Sequence, residues 1–232
     1  MTNAAHLLID NLHAQSLRVA RACARAGRNP SDVRLVAVSK NHPVEAISSL
    51  LGHGHLAFGE SYVQEWRTKA DQLSPQVDWH FIGHLQSNKA SAVAGSVSLI
   101  HSVDRPSLVR ALAGTKQDVL IQVNISGETS KYGCRPEETA ALIEKSIGAG
   151  GLRVRGLMTM APWDEDPEAS RPCFRALRTL RDELSTHFSA RFDGWTTTFG
   201  ELSMGMSHDL ETAVEEGATL VRVGTAIFGE RE

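Results

Sequence analysis

Apolar residues recur along the chain in two alternating rhythms. Between roughly Ala4 and Ala26, Leu7, Leu8, Leu12, Leu17, Val19 and Ala20 stand at nearly helical spacing, and the run stops at Gly27 with Pro30 just beyond. This predicts a leading helix. Val33 to Ser39 is short and valine-rich, which predicts a strand, and Pro43 followed by Ala46, Ile47, Leu50 and Leu51 predicts a helix after it. The alternation continues with His55 to Phe58 before a helix from Tyr62, Val77 to Ile82 before a short one from Gln86, and Val97 to His101 before one from Asp104. Val119 to Val123 precedes a helix from Pro136, and Arg153 to Met158 precedes one around Phe174 to Phe188. A strand ending near Ser203, a helix from Ser207 to Glu216 and a strand from Leu220 to Val223 complete the series.

About eight strand candidates alternating with helices are the expectation for a (β/α)8 TIM barrel with an extra N-terminal helix. A doubly wound open sheet would alternate in the same way. The barrel is preferred because the strands continue evenly to the C-terminus and no G-x-G-x-x-G follows the first of them. With no linker, low-complexity tract or repeat between elements, residues 1–232 are expected to form one domain.

Composition narrows the function classes. The net charge is −3, from 24 basic and 27 acidic residues mixed along the chain, so neither nucleic acid nor an anionic membrane is an expected partner. Cys23, Cys134 and Cys173 are far apart and form no C-x-x-C pair, which argues against disulfides and thiolate metal sites and fits a reducing cytoplasm. The first twelve residues lack the pattern of a signal peptide, and no apolar run is long enough to span a bilayer.

In a barrel the chemistry sits at the C-terminal ends of the strands. Lys40 directly follows Val36-Ala37-Val38-Ser39. An amine there can lie in the barrel mouth with its pKa lowered by burial, as Schiff-base chemistry requires. From position alone a solvated strand-end lysine is the commoner outcome. Two later segments add weight to the first reading. Ser203-Met204-Gly205-Met206-Ser207 links a strand to a helix, with Ser207 expected as the N-cap, and Gly224-Thr225 follows the last strand. Both are turns able to hold an anion. First and last strands adjoin in a closed barrel, so the pair spans one phosphorylated aldehyde, either pyridoxal phosphate or the sugar phosphate of a Schiff-base aldolase.

Val36 to Lys40, Phe58-Gly59-Glu60, Trp79 to Lys89, Leu202 to Ser207 and Arg222 to Gly229 occur in order and together resemble the pyridoxal phosphate homeostasis protein family, over nearly the whole chain from Arg34 to Glu230. The resemblance implies a barrel similar to the alanine racemase N-terminal domain. It also implies pyridoxal 5′-phosphate (PLP) held as a Schiff base on Lys40, phosphate contacts from Ser203, Gly224 and Thr225, and Arg222 near the pyridine nitrogen or the phosphate. An arginine beside that nitrogen disfavours the protonated ring that serves as an electron sink. Lys131 matches a family segment after the fifth strand and is a candidate acceptor in cofactor transfer, or a loop lysine. The family usually has Asn where this chain has Ser61, which is expected to cap the following helix instead.

His80 is expected as a polar residue of the barrel mouth, and Met158 and Met204 as packing residues able to touch the cofactor face. Metal binding is not expected, because no carboxylate or cysteine completes a set with the histidine pairs. The resulting expectation is a monomeric, non-catalytic PLP carrier that stores the cofactor or delivers it to PLP-dependent apo-enzymes. The alternative is a PLP-dependent enzyme such as an amino-acid racemase. Racemases of this kind carry a second β domain and a catalytic tyrosine. This sequence has only Tyr62 and Tyr132, in neither case within a racemase motif, and ends at Glu232 soon after the last strand.

Overall fold

In the computed structural model, which describes residues 3–230, the strands form a closed parallel barrel in chain order. They are β1 Arg34–Val38, β2 Ala57–Glu60, β3 Asp78–Phe81, β4 Leu99–Val103, β5 Gln117–Gln122, β6 Leu152–Met158, β7 Glu201–Ser203 and β8 Leu220–Val223. Closure comes from β8 pairing back onto β1, with Ala37 opposite Val223. The expected (β/α)8 TIM barrel is therefore the observed fold.

Successive strand residues face opposite sides, and this divides the core in two. Val36, Leu99, Leu120, Met158 and Leu220 form a small apolar cluster inside the barrel. Their outward neighbours, among them Ala37, Ile100, Val119, Leu157 and Val221, join a larger cluster under the surrounding helices. The helices are α1 Asn3–Arg25, α2 Val44–Gly52, α3 Val63–Ala70, α4 Pro106–Leu112, α5 Thr139–Gly148, α6 Arg171–Ser189, α7 Trp195–Thr198, α8 Leu210–Glu215 and α9 Thr225–Phe228. The leading helix α1 buries Ile9, Leu12, Val19 and Cys23 and packs on α2, α8 and α9. All three cysteines are buried free thiols, and no helix among the described residues is long and apolar enough to cross a membrane.

Several elements depart from the sequence reading. The segment from Gln86 is a 3₁₀ stretch, Ser87–Ala92, and the helix from Pro136 opens with a 3₁₀ turn, Pro136–Glu138. The helix expected from Ser207 starts at Leu210, because Asp209 stands at its N-cap and its carboxylate accepts from Met206 N at 2.7 Å. Ser207 is thus not a cap. Nor is Ser61, since Tyr62 stands at the N-cap of α3 without a side-chain bond. The last strand ends at Val223 as expected, and Thr225-Ala226-Ile227-Phe228, for which no element was expected, forms α9, with Ile227 N donating to Gly224 O at 2.8 Å.

Candidate functional site

A cavity of about 270 Å³ opens at the C-terminal ends of the strands. Strand periodicity explains its lining. Val36 faces inward, so Val38 and Lys40 continue on the same side and reach the cavity. Ile82 does the same beyond β3, and Met160 beyond Met158. Arg222 enters from β8, followed by Gly224 and Thr225, while Met206, Ser207 and His208 enter from the loop after β7. Lys40, Arg222, Gly224 and Thr225 therefore meet as expected. Ser61 also lines the cavity, in place of the capping role expected for it.

The turn carrying Lys40 is clamped from behind. Asn41 has φ +63, a left-handed conformation that Asn tolerates better than most residues, and its N–H donates to Glu65 Oε1. Lys69 Nζ donates to Ser39 O, Glu60 Oε1 and Glu65 Oε1, each at 2.7 Å, and Ser39 Oγ donates to Glu60 Oε1 at 2.6 Å. Glu60 is fully buried, its Oε2 has no hydrogen-bond partner among the described residues, and burial pushes its pKa up against the opposing pull of Lys69 and Ser39.

Both turns opposite Lys40 are held by the leading helix. Arg18 forks onto Glu211 with two bonds of 2.6 Å and donates to Ser207 O at 2.8 Å. Asn11 Nδ2 donates to Ile227 O at 3.0 Å, which steadies α9. Sequence reading gave α1 no part in the site, because its polar contacts reach residues near the other end of the chain.

Beneath the cavity a polar chain crosses the barrel. Arg222 Nη1 donates to Ser203 Oγ at 2.6 Å and Nη2 to Thr159 O at 3.0 Å. Ser203 Oγ lies 2.9 Å from His101 Nδ1, His101 Nε2 lies 2.9 Å from His80 Nδ1, and His80 Nε2 lies 3.3 Å from Asp78 Oδ2. Burial drives the pKa of His101 well below its ordinary value, so its imidazole is neutral at neutral pH. Burial lowers that of Arg222 to about 10, which leaves it charged. The hydrogen bond from His80 holds Asp78 down at about 2.

Five residues expected at the site do not line this cavity. His80 is fully buried below it, within the polar chain rather than at the mouth. Ser203 is buried too, its hydroxyl occupied by Arg222 and His101, so the hydroxyl-bearing residues of the cavity lining are Ser61, Ser207 and Thr225. Met204 follows inward-facing Ser203 and so points outward, into the packing under the helices. Met158 likewise lies in the barrel interior, and the methionines of the cavity are Met160 and Met206. Lys131 borders a separate cavity of about 540 Å³ with Asn124 and Arg135, its Nζ 3.3 Å from Glu128 Oε1. No group of three or more potential metal-ligating His, Cys, Asp or Glu side chains occurs among the described residues.

The lining set brings together an amine, a guanidinium, the hydroxyl-bearing Ser61, Ser207 and Thr225, and the apolar walls Val38, Ile82 and Met160, with no carboxylate. Such a donor set fits a small, flat, anionic aldehyde and would repel no part of it.

Residues 11–232 match the family model described as alanine racemase, N-terminal domain. The pyridoxal phosphate homeostasis protein of Aquifex aeolicus is 45% identical over 222 residues, 93% of this chain and 94% of that one. The protein of that name from Homo sapiens is 39% identical over 241 residues, 95% of this chain and 86% of that one. PipY of Synechococcus elongatus, solved with PLP bound, has a TM-score of 0.77 at 35% identity, covering 91% of this chain and 100% of that one. Alanine racemase from Corynebacterium glutamicum, at 20% identity and TM-score 0.69 over 94% of this chain and 62% of that one, shares the fold. Identity of this extent along nearly the full length of both partners reflects descent, and the chain belongs to the pyridoxal phosphate homeostasis protein family, built on the alanine racemase N-terminal barrel.

Proposed function

We propose that residues 1–232 act as one PLP-binding unit, with the cofactor held as a Schiff base on Lys40 in the barrel-mouth cavity for intracellular storage or delivery to apo-enzymes. The observation that carries this reading is that Lys40 lines the same small cavity as Arg222, Ser207, Gly224 and Thr225. When bound, the group supplies an aldehyde carbon that condenses with a primary amine. Lys40 offers that amine, and the Ser207 and Thr225 hydroxyls suit the phosphate. Val38, Ile82 and Met160 flank the ring. Arg222, which only donates, faces the ring nitrogen or the phosphate and gives a protonated pyridine no acceptor.

Storage is favoured over amino-acid racemisation by the names of the relatives and by the cavity lining, which includes neither Tyr62 nor Tyr132 as a second acid/base. The test is the visible absorption spectrum of the protein incubated with PLP, before and after borohydride, beside Lys40→Ala. A band that borohydride removes, absent from the variant, is the expected result. No band in the wild-type protein would overturn cofactor binding, and an unchanged band in Lys40→Ala would overturn the assignment to Lys40. Rapid turnover of amino acids by the loaded protein would replace the carrier reading with an enzymatic one.

A further inference from the structure

The polar chain beneath the cavity has a direction. Arg222 can only donate hydrogen bonds and an ionised Asp78 can only accept them. Between these ends lie a hydroxyl and two buried imidazoles, at successive separations of 2.6, 2.9, 2.9 and 3.3 Å. Where each imidazole carries a single N–H, only one arrangement of hydrogens satisfies every link. His80 Nε2–H donates to Asp78, which leaves Nδ1 to accept from His101 Nε2–H, and His101 Nδ1 then accepts the Ser203 hydroxyl hydrogen. Ser203 Oγ is thereby left facing Arg222 with its lone pairs.

We propose that Asp78, His80 and His101 are positioning residues, whose one-way hydrogen-bond chain fixes Ser203 Oγ as the acceptor that presents Arg222 to the ligand in the cavity. The proposal rests on the cavity being the PLP site. Its anchor lies at the far side of the barrel, because Asp78 opens β3 whereas the cavity lies beyond the other ends of the strands. Asp78 also pairs with Arg34 at 3.2 Å, at the start of β1. A charge near the N-terminal face thus governs the orientation of a guanidinium in the barrel mouth, through side chains that never touch the ligand.

Replacing His101 would risk the fold, since it is fully buried. Asp78→Asn alters only the partly exposed end of the chain. An Asn amide can donate or accept, so the substitution releases the direction of every bond above it. In the cofactor-free wild-type protein, nitrogen NMR should find both His80 and His101 as the Nε2–H tautomer. In Asp78→Asn the two should become tautomer mixtures, the Arg222 guanidinium resonance should shift or broaden, and PLP affinity should fall roughly three- to ten-fold, the worth of one hydrogen bond. Arg34→Gln, which removes the surface partner but keeps the Asp78 carboxylate, should change none of these.

Unchanged tautomers or an unchanged Arg222 resonance in Asp78→Asn would overturn the proposal, as would unchanged PLP affinity in a variant whose tautomers had mixed. An effect of Arg34→Gln as large as that of Asp78→Asn would also overturn it, by tracing the change to general loosening of the strand ends. The NMR arms need no cofactor. A wild-type protein that failed to bind PLP would therefore sink the cofactor reading separately, while Arg222 still reported on the chain.

Discussion

Gly83 lies against Ser61 so closely that a Cβ on it would stand 2.1 Å from the Ser61 carbonyl oxygen and 2.6 Å from its Cα. Both neighbours are backbone atoms that no rotamer change can clear. Gly83 thus lets the turn after β3 nest on the turn after β2, where Ser61 lines the cavity. Gly83→Ala should push Ser61 outward, with about 1–3 kcal/mol of overpacking cost and weaker PLP binding. Denaturant unfolding and a spectroscopic titration of PLP would check the two effects. Unchanged affinity in a destabilised protein would mean that Ser61 does not shape the bound state.

Arg18 acts on the cavity from outside the barrel. Its fork onto Glu211 and its bond to Ser207 O hold the turn that brings Ser207 to the cavity wall. Arg18→Met keeps much of the apolar stem but removes these three bonds, together with a fourth to Gln15 within α1. The helix should stay packed, since Leu12, Val19 and Cys23 are buried without it, and PLP should dissociate faster. Stopped-flow transfer of PLP from the loaded protein to an excess of a scavenging amine measures this, and a rate equal to wild type would remove α1 from the site.

The barrel was legible because strand and helix periods differ and alternate without interruption. The meeting of Lys40 with Gly224 and Thr225 was legible once closure was assumed. The β1–β8 register then sets Ala37 against Val223, and a Cβ on Gly224 would stand 3.4 Å from Val38. The facing of single residues at the end of β7 was a harder matter. Alternation alone could have excluded Met204 once Ser203 was taken as inward, but the short strand Glu201–Ser203 gives few residues from which to set the phase. The histidine chain was illegible for a different reason. His80 and His101 are partnered across strands, and the sequence between them carries no sign of the parallel register that aligns them.

Met204 and Ser207 should separate packing from binding. Met204 is fully buried among outward-facing apolar residues, so Met204→Ala should cost about 2–5 kcal/mol of stability with little change in PLP affinity. Ser207→Ala should do the reverse. Ser207 lines the cavity, so loss of its hydroxyl should weaken PLP while leaving the binding of pyridoxal, which lacks the phosphate, nearly unchanged. Paired titrations with the two aldehydes decide the point, and equal losses for both would move the phosphate away from Ser207.

Lys69 is the only cation bonded to the buried Glu60 carboxylate among the described residues, and Lys69→Met would leave that charge uncompensated. Breaking a buried pair in this way costs about 3–5 kcal/mol. The pH dependence has a definite sign. The Glu60 pKa is already raised in the folded state by burial, and losing Lys69 raises it further. A carboxyl with a raised folded pKa destabilises the fold when ionised, so stability falls as pH rises from the ordinary Glu value of about 4.3 through the folded value. The deficit of Lys69→Met should therefore be largest at about pH 8 and shrink as Glu60 takes up a proton on acidification. Thermal unfolding across that range checks it. Because Lys69 also holds Ser39 O, next to Lys40, the absorption band proposed for PLP on Lys40 should broaden or weaken in the same variant at high pH and recover at low pH. A deficit independent of pH would show that Glu60 is not the charge left behind.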